Sequence, residues 1–484
     1  MTTSSSFPRL PALLLAALCP AFAPLVHAAP PQSAAVALSA ASSASVSASA
    51  SATPSAAVRV TLPEALGRAL GRNPGFLAAR EGAEIAKGRR RQAQAPLRPT
   101  LGISAFETHQ SIPDVAIPGL GGLFGGKLFV DELRDKRVTL SQQLLNVRDH
   151  AGARAARSLE KAARQDVTKA SVDLVTAVKT AFYDLLLAEE MSNVTRATAD
   201  QVERQLTQAR LNVRVGTAPR LDELRAEVQL SRARADLIRA GYGAEIAREV
   251  LANLLALDAS TPLEAAGAFL PLAPVPPRAE VLARALRERP DLRAGRERLE
   301  AARQGVRAAR AGHLPTVALV GTKDRSFNQS FVRGEDIDVQ SATVSVNLPL
   351  FDGGLTEGRV TEARAAQRKA DSELRALEQS VELDVTRSLA LVEQARAVIA
   401  ATETAVQLAQ EALDIAEEGY RQGVRTYLEV LDAQLALAVA RTNLAQARRD
   451  DSVARARLDQ AQGLITGLEA PAPGGTTTTR AQQQ

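Results

Sequence analysis

Two periodicities divide the chain. Period two is clearest from Ala342 to Leu350, where Ala, Val, Val, Leu and Leu alternate with Thr, Ser, Asn and Pro. A strand there carries its aliphatic side chains on one face and its polar ones on the other. Val138 to Leu144, Leu101 to Ala105 and Val317 to Thr322 repeat the pattern more weakly. Ser111 to Lys136 and about Asn328 to Asp338 are rich in Gly, Pro and Asp and read as the loops between paired strands. The rest of the pattern is helical. Val147 to Val213 and Leu355 to Arg421 contain no Pro, and Gly occurs only at Gly152 in the first and at Gly358 and Gly419 in the second. At 1.5 Å per residue each run spans about 100 Å. A lone helix of that length buries nothing, so the pattern predicts long helices packed side by side as a coiled-coil wall.

The pattern occurs twice. Leu62 to Arg80 aligns with Arg278 to Arg296 at an offset of 216, which puts Glu64 on Glu280, Leu70 on Leu286 and Pro74 on Pro290. The offset carries Pro99 onto Pro315. It falls to 206 at Val138 on Val344 and becomes 207 at Gly216 on Gly423. One loop-length difference of about ten residues accounts for nearly all of the change, so the chain is an internal duplication. Each half reads as a short helix, a second helix, two strands and two long helices meeting at a Gly. The boundaries are 58–257 for the first repeat, 258–277 for a Pro- and Ala-rich linker, and 278–466 for the second repeat. Residues 29–57 and 467–484 lack the bulky side chains needed to offset ordering entropy and read as disordered tails.

Composition adds exclusions. The 484 residues are 45% apolar, but largely through Ala, and only 3% aromatic. The 59 Lys+Arg against 54 Asp+Glu give +5, with the cations scattered among acids and no basic patch interleaved with aromatics, so a nucleic-acid partner is not expected. Residues 1–28 have the form of a signal peptide: Arg9 precedes the apolar run Leu10 to Leu25, and Val26-His27-Ala28 supplies a cleavage site. The one cysteine, Cys19, lies inside it; Leu18 and Pro20 beside it argue against lipidation, and the mature chain would have neither disulfide nor thiolate metal site.

No enzyme chemistry is legible. Gly121 to Leu128 resembles a phosphate-binding loop, but Leu128 stands where the magnesium-holding hydroxyl belongs, and no buried strand precedes it. His27, His109, His150 and His313 are isolated, and there is no nucleophile elbow, metal set or dinucleotide fingerprint. Neither catalysis nor a cofactor is expected. Beyond the leader no apolar run is long enough for a membrane-spanning helix. Alternating strands can instead cross as a closed barrel with a lipid face and a polar lumen, but four strands close one only if several protomers contribute.

This duplicated plan resembles the outer membrane factor family, the TolC-like efflux ducts of Gram-negative bacteria, over residues 60 to 465. The most specific matches are the helix starts at Leu62 to Pro74 and Ala279 to Pro290, the turn Leu348-Pro349-Leu350-Phe351-Asp352-Gly353-Gly354, and the helix turns Val215-Gly216-Thr217 and Gln422-Gly423-Val424. Asn146 stands where the second half has Asp352, and the first-half turn lacks the double Gly. The resemblance implies a mainly α protein with a transmembrane β part. Each of three protomers would give four strands to an outer-membrane β-barrel that continues into a periplasmic α-barrel. It implies a passive exit duct for a tripartite efflux or type I secretion system, a homotrimer touching outer-membrane lipid and a periplasmic adaptor, and through the adaptor an inner-membrane pump. The two helix turns would be the adaptor-docking tips. Tyr420, Arg425, Glu429 and Asp432 would form a periplasmic gate, with Asp222 as partner across a protomer boundary and Glu429 in place of the family's more familiar Asp. Arg425, Glu429 and Asp432, four and three residues apart, are expected on one helix face. Aromatics are scarce, leaving Phe106, Phe124, Phe129, Phe327, Phe331 and Phe351 for an interfacial belt. A periplasmic coiled-coil adaptor is the rival reading, but no strand-rich segment remains for the lipoyl-like and small barrel domains of such proteins. An ordinary porin would need many more strands.

Overall fold

A computed structural model describes residues 58–109, 132–217, 219–258, 261–327 and 337–467. The leader, Cys19, the Gly121 to Leu128 segment, Phe124, Phe129, Phe331 and residues 468–484 lie outside the described residues.

The element series runs through the chain twice. Strand β1 (Val58–Val60), α1 (Leu62–Arg72), α2 (Pro74–Gln94), β2 (Thr100–His109), β3 (Glu132–Leu145), α3 (Val147–Arg214) and α4 (Arg220–Leu254) make the first pass. Strand β4 (Leu263–Ala265), α5 (Arg278–Glu288), α6 (Pro290–Arg310), β5 (Thr316–Phe327), β6 (Ile337–Asn347), α7 (Leu355–Arg421) and α8 (Tyr427–Gln462) make the second. Helices α1 and α5 have 11 residues each, α2 and α6 have 21, and α3 and α7 have 68 and 67. The Pro-free runs are thus single helices, with Asn146 capping α3 by accepting from the Asp149 amide at 3.3 Å. In the second half Asp352 does the corresponding work from further upstream. Its two carboxylate oxygens accept from the Gly354 and Thr356 amides at 3.2 and 2.9 Å, and Gly353 and Gly354 take φ of +66° and +86°.

The return helices end on the starts of the short ones. Asn73, at the start of α2, accepts from the Phe76 amide and donates to the carbonyl of Leu254, the last residue of α4, at 3.1 Å. In the second half Arg289 reaches the Ala461 carbonyl at 3.5 Å, next to the end of α8. Each hairpin is thereby continued by a stacked helix. Around the first joint lies a core of Leu66, Val178, Phe182, Tyr183, Leu185 and Leu251, with Phe182 and Tyr183 packed edge-on at 5.9 Å. Around the second, Val281, Leu292, Val381 and Val385 are buried. Each such aliphatic or aromatic side chain contributes about 1.5–3 kcal/mol.

Strands β2, β3, β5 and β6 form one antiparallel sheet in that order, with β2 and β6 at its edges. The register sorts the faces. Leu101 pairs with Leu140, Leu140 with Gly321 and Gly321 with Ala342; Leu319 pairs with Val344 and Val317 with Val346. On the opposite face Thr100 pairs with Ser141, and the row Gly102, Thr139, Thr322, Ser341 crosses all four strands. The aliphatic face is bare: Ile103, Val344 and Val346 are 79%, 61% and 68% exposed.

Four expectations need correction. The strands extend into the stretches read as loops, through Glu132 to Lys136 and Ile337 to Asp338, where Arg134 and Asp338 find partners across the ladder. Arg134 pairs with Glu107 at 3.0 Å, Arg137 with Asp324, and Arg325 with Asp338 at 3.7 Å. Leu348 to Leu350 fall outside β6, whose last paired residue is Asn347. The 258–277 linker carries β4, which pairs in parallel with β1, and Phe269 packs on the first core. Of the candidate belt aromatics, Phe106 falls by register on the hydroxyl-bearing face, Phe327 on the aliphatic face, and Phe351 stands 90% exposed in the strand-to-helix turn.

Candidate functional site

The far ends of the two helix hairpins hold every candidate residue. Both turns close with the same hydrogen bonds. Gly216 N donates to Val213 O at 3.1 Å and Thr217 N to Asn212 O at 2.9 Å; Gly423 N donates to Tyr420 O at 3.1 Å and Val424 N to Gly419 O at 2.9 Å. This is the Schellman arrangement, which needs a left-handed residue, and Gly216 and Gly423 take φ of +76° and +74°. Val215 and Val424 are exposed at the tips, as are Thr217 and Gln422.

Beside the second tip, Thr426 caps α8. Its amide donates to Glu429 Oε1 at 3.2 Å while its hydroxyl accepts from the Glu429 amide at 3.4 Å, closing a capping box. Arg425 adds Nη1 to Glu429 Oε2 at 3.2 Å, and its stem lies over Gly419 so closely that a Cβ there would sit 2.7 Å from Arg425 Cδ. The Thr426 amide and hydroxyl, with Arg425 beside them, hold the Glu429 carboxyl below its usual range. One expectation changes here: Arg425 precedes the helix cap and is not on the α8 face that carries Glu429 and Asp432, and it reaches Glu429 from the turn. Asp432 is exposed one turn further along.

Tyr420 is half-buried and packs its ring at 5.9 Å from that of Tyr427, a residue the sequence reading passed over. Tyr427 is buried among Ala199, Val202, Leu206, Ala226 and Leu230 and so ties the α7/α8 hairpin to the α3/α4 hairpin. Tyr427 opens α8 while Tyr420 lies in the last turn of α7, so no helical spacing in the sequence signals their contact. Burial, with Tyr420 and the charge of Asp222 adding to it, pushes the Tyr427 hydroxyl up to about 12, so it stays protonated. Asp222, half-buried in the first turn of α4, has Arg225 at 3.7 Å. Within one protomer, then, Arg425 pairs with Glu429 and Asp222 with Arg225. No group of His, Cys, Asp or Glu suited to a metal ion occurs among the described residues, and no described helix is long and apolar enough to cross a membrane.

A carboxyl held below its usual range adds stability above its unfolded value of about 4.3, and that stability is lost as pH falls through the lower folded value. Acidification below about pH 4 should therefore loosen the second tip by removing both the cap bond and the Arg425 pair. Protection factors of the amides at residues 420–432, taken against the intrinsic exchange rate at each pH, should fall on acidification in the wild type. In Glu429→Ala, which removes both bonds, they should already be low at neutral pH and respond less to acid; equal pH responses would mean that Glu429 does not hold the tip.

The sequence profile described as outer membrane efflux protein matches residues 65–257 and 281–464. The outer membrane protein TolC of Escherichia coli (strain K12) is 28% identical over 393 residues, 77% of this chain and 76% of TolC. The alkaline protease secretion protein AprF of Pseudomonas aeruginosa is 25% identical over 403 residues, 81% of this chain and 82% of AprF. The crystal structure of the outer membrane protein VceC of Vibrio cholerae superposes with a TM-score of 0.72 at 23% identity, covering 84% of this chain and 97% of that one.

Proposed function

The chain belongs to the outer membrane efflux protein family, and on that premise we propose that it is a passive outer-membrane exit duct serving an efflux pump or a type I secretion system. The observation that carries this reading is the four-stranded sheet. It has two open edges, an exposed aliphatic face opposite a face of hydroxyls, and two strands, β3 and β6, that are followed in the chain by helices of about 100 Å. Open edges are pairing surfaces, and three copies joined edge to edge would make a closed barrel with lipid outside and a polar lumen. The long helices of the same three copies would wall a periplasmic tunnel below it. Its hairpin tips would meet a periplasmic adaptor that couples the duct to an inner-membrane pump, the source of the energy. The duct itself performs no chemistry.

The experiment that tests this reading is outer-membrane fractionation followed by the mass of the detergent-extracted protein. A trimer that needs detergent supports it; a monodisperse, detergent-free monomer with native helix content contradicts it.

Two parts of the tip carry separate roles. Val215, Gly216, Thr217, Gln422, Gly423 and Val424 are the docking surface, where the left-handed glycines leave backbone open to a partner loop. Leucine at Gly216 or Gly423 costs about 1–2 kcal/mol in the turn, too little to undo the trimer, yet export should fall sharply because the tip is reshaped. Unchanged export at unchanged trimer level would reduce these glycines to plain helix caps. Tyr420, Arg425, Glu429 and Asp432, with Asp222 of a neighbouring copy, form the gate, and the acids would make rings of negative charge at the tunnel mouth. Asp432→Ala should accordingly weaken cation selectivity in reversal-potential measurements.

A further inference from the structure

The aliphatic face of the sheet changes character toward the Phe327 end. Row by row it reads Leu101, Leu140, Gly321, Ala342; then Ile103, Val138, Lys323, Gln340; then Ala105, Lys136, Arg325, Asp338; then Glu107, Arg134 and Phe327. Four cations thus cap the greasy band on its own face. Two of them have carboxylates within reach, Arg134 with Glu107 at 3.0 Å and Arg325 with Asp338 at 3.7 Å. Lys323 and Lys136 meet no carboxylate among the described residues, although both are exposed on a surface with acids nearby. Lys136 Nζ instead lies 5.5 Å from the centre of the Phe327 ring, and the Arg325 guanidinium lies 5.3 Å from the same ring. An aromatic ring clamped by cations immediately above an aliphatic surface marks the depth at which hydrocarbon gives way to headgroups. From Val317 to Arg325 is about 26 Å along the strand at 3.3 Å per residue, about 20 Å of depth at a tilt of about 40°, which puts the cation rows near one edge of a lipid-facing band of about 25 Å.

On the opposite face at the same level Arg137 is matched by Asp324 and Asp135 lies on the next row, whereas the aliphatic face sets its four cations against Glu107, Asp338 and, by register, Glu132, so the positive surplus belongs to the lipid side. Side chains at the diagonal positions of Lys136 and Lys323 stand about 7–8 Å apart at their bases, a span that one phosphate can bridge with two flexible ammonium groups.

We propose that Lys136 and Lys323, with Arg325 and the Phe327 ring, form a binding site for the phosphate groups of a bis-phosphorylated glycolipid in the outer leaflet. The site rests on the outer-membrane reading given above. It would occur once per protomer and fix the height of the barrel in the leaflet.

The test uses the full-length protein purified in mild detergent, alongside Lys136→Gln/Lys323→Gln. Binding is measured to micelles containing diphosphoryl lipid A, the same glycolipid stripped of phosphate, or phosphatidylglycerol. Removing two cations from an anionic surface predicts roughly thirty-fold weaker binding of the diphosphoryl form, with no change for the stripped form and weak binding of phosphatidylglycerol by both proteins. Equal binding of the diphosphoryl form by wild type and variant, both trimeric and conducting in bilayers, overturns the site and leaves the channel reading standing. Binding of phosphatidylglycerol as tight as that of the glycolipid also overturns it, because a general anionic surface would then suffice. A wild type that neither inserts nor conducts overturns the channel reading and the site together.

Discussion

Arg425→Ser combined with Tyr420→Phe is expected to raise single-channel conductance and open probability in planar bilayers while leaving the protein trimeric. Two contacts hold the second hairpin end in place. Arg425 bridges from the turn to Glu429 at 3.2 Å, with its stem laid over Gly419, and Tyr420 packs on Tyr427, which is itself buried against α3 and α4. Both Arg425 and Glu429 are about half exposed, so one pair contributes little by itself. Three symmetric copies acting on one aperture add, so the closed-to-open ratio should shift several-fold. Arg425→Ser should supply most of the gain. If Arg425 reaches Asp222 of a neighbouring copy in the closed trimer, Asp222→Ala should open the channel as well, and the two variants together should gain less than the sum of their separate effects. A double variant that conducts like the wild type, although trimeric and inserted, would make these charges a solvated helix face.

Gly463→Val should produce the largest loss of stability. Gly463 ends α8 with φ of +75°, its amide bonded to Gln460 O at 2.9 Å and the next amide to Asp459 O at 2.9 Å. A side chain there pays about 1–2 kcal/mol for the left-handed backbone. It also places a Cβ 2.9 Å from Pro290 Cδ and 3.0 Å from Arg289 Cα, so the joint between α8 and α6 must separate. Arg289 is anchored at that joint by Asp291 at 2.7 Å and Asp384 at 3.2 Å, which leaves little room for adjustment. A total of several kcal/mol is expected, in the range of the most damaging single substitutions. It should appear as a trimer that dissociates at lower temperature on heating. Gly88→Ala in α2, where a Cβ meets nothing within 4 Å, is the control and should stabilise by about 0.5–1 kcal/mol.

The long helices were legible because what defines them is an absence: no Pro in either run, with Gly almost confined to the ends. The tips were legible because a left-handed turn between helices admits little but Gly. The strand ends were not. Glu132 to Lys136 read as a loop because a strand is usually recognised by its aliphatic residues, whereas here the ladder is joined by cross-strand ion pairs such as Arg134 with Glu107, a pairing that only the register reveals. The short β1 and β4 escaped for a related reason: three residues carry no periodicity, and their partnership spans more than two hundred positions. Phe106 was misplaced because alternation slips in β2 between Ala105 and Phe106, and the aromatic follows the backbone to the hydroxyl-bearing face. At the candidate gate, sequence spacing located the charged residues but put Arg425 on a helix that begins only after it. Tyr427 was missed because a lone aromatic at a helix start carries no charge and belongs to no motif. Its burial against α3 and α4 depends on how the two hairpins lie together.

The most direct test of the duct itself is the current carried by the purified full-length protein added to one side of a planar lipid bilayer. A trimeric barrel continuous with a gated tunnel should insert and give discrete, uniform conductance steps that favour cations. A protein that stays folded and helical in detergent yet produces no steps would be a coiled-coil component of the envelope and not a channel.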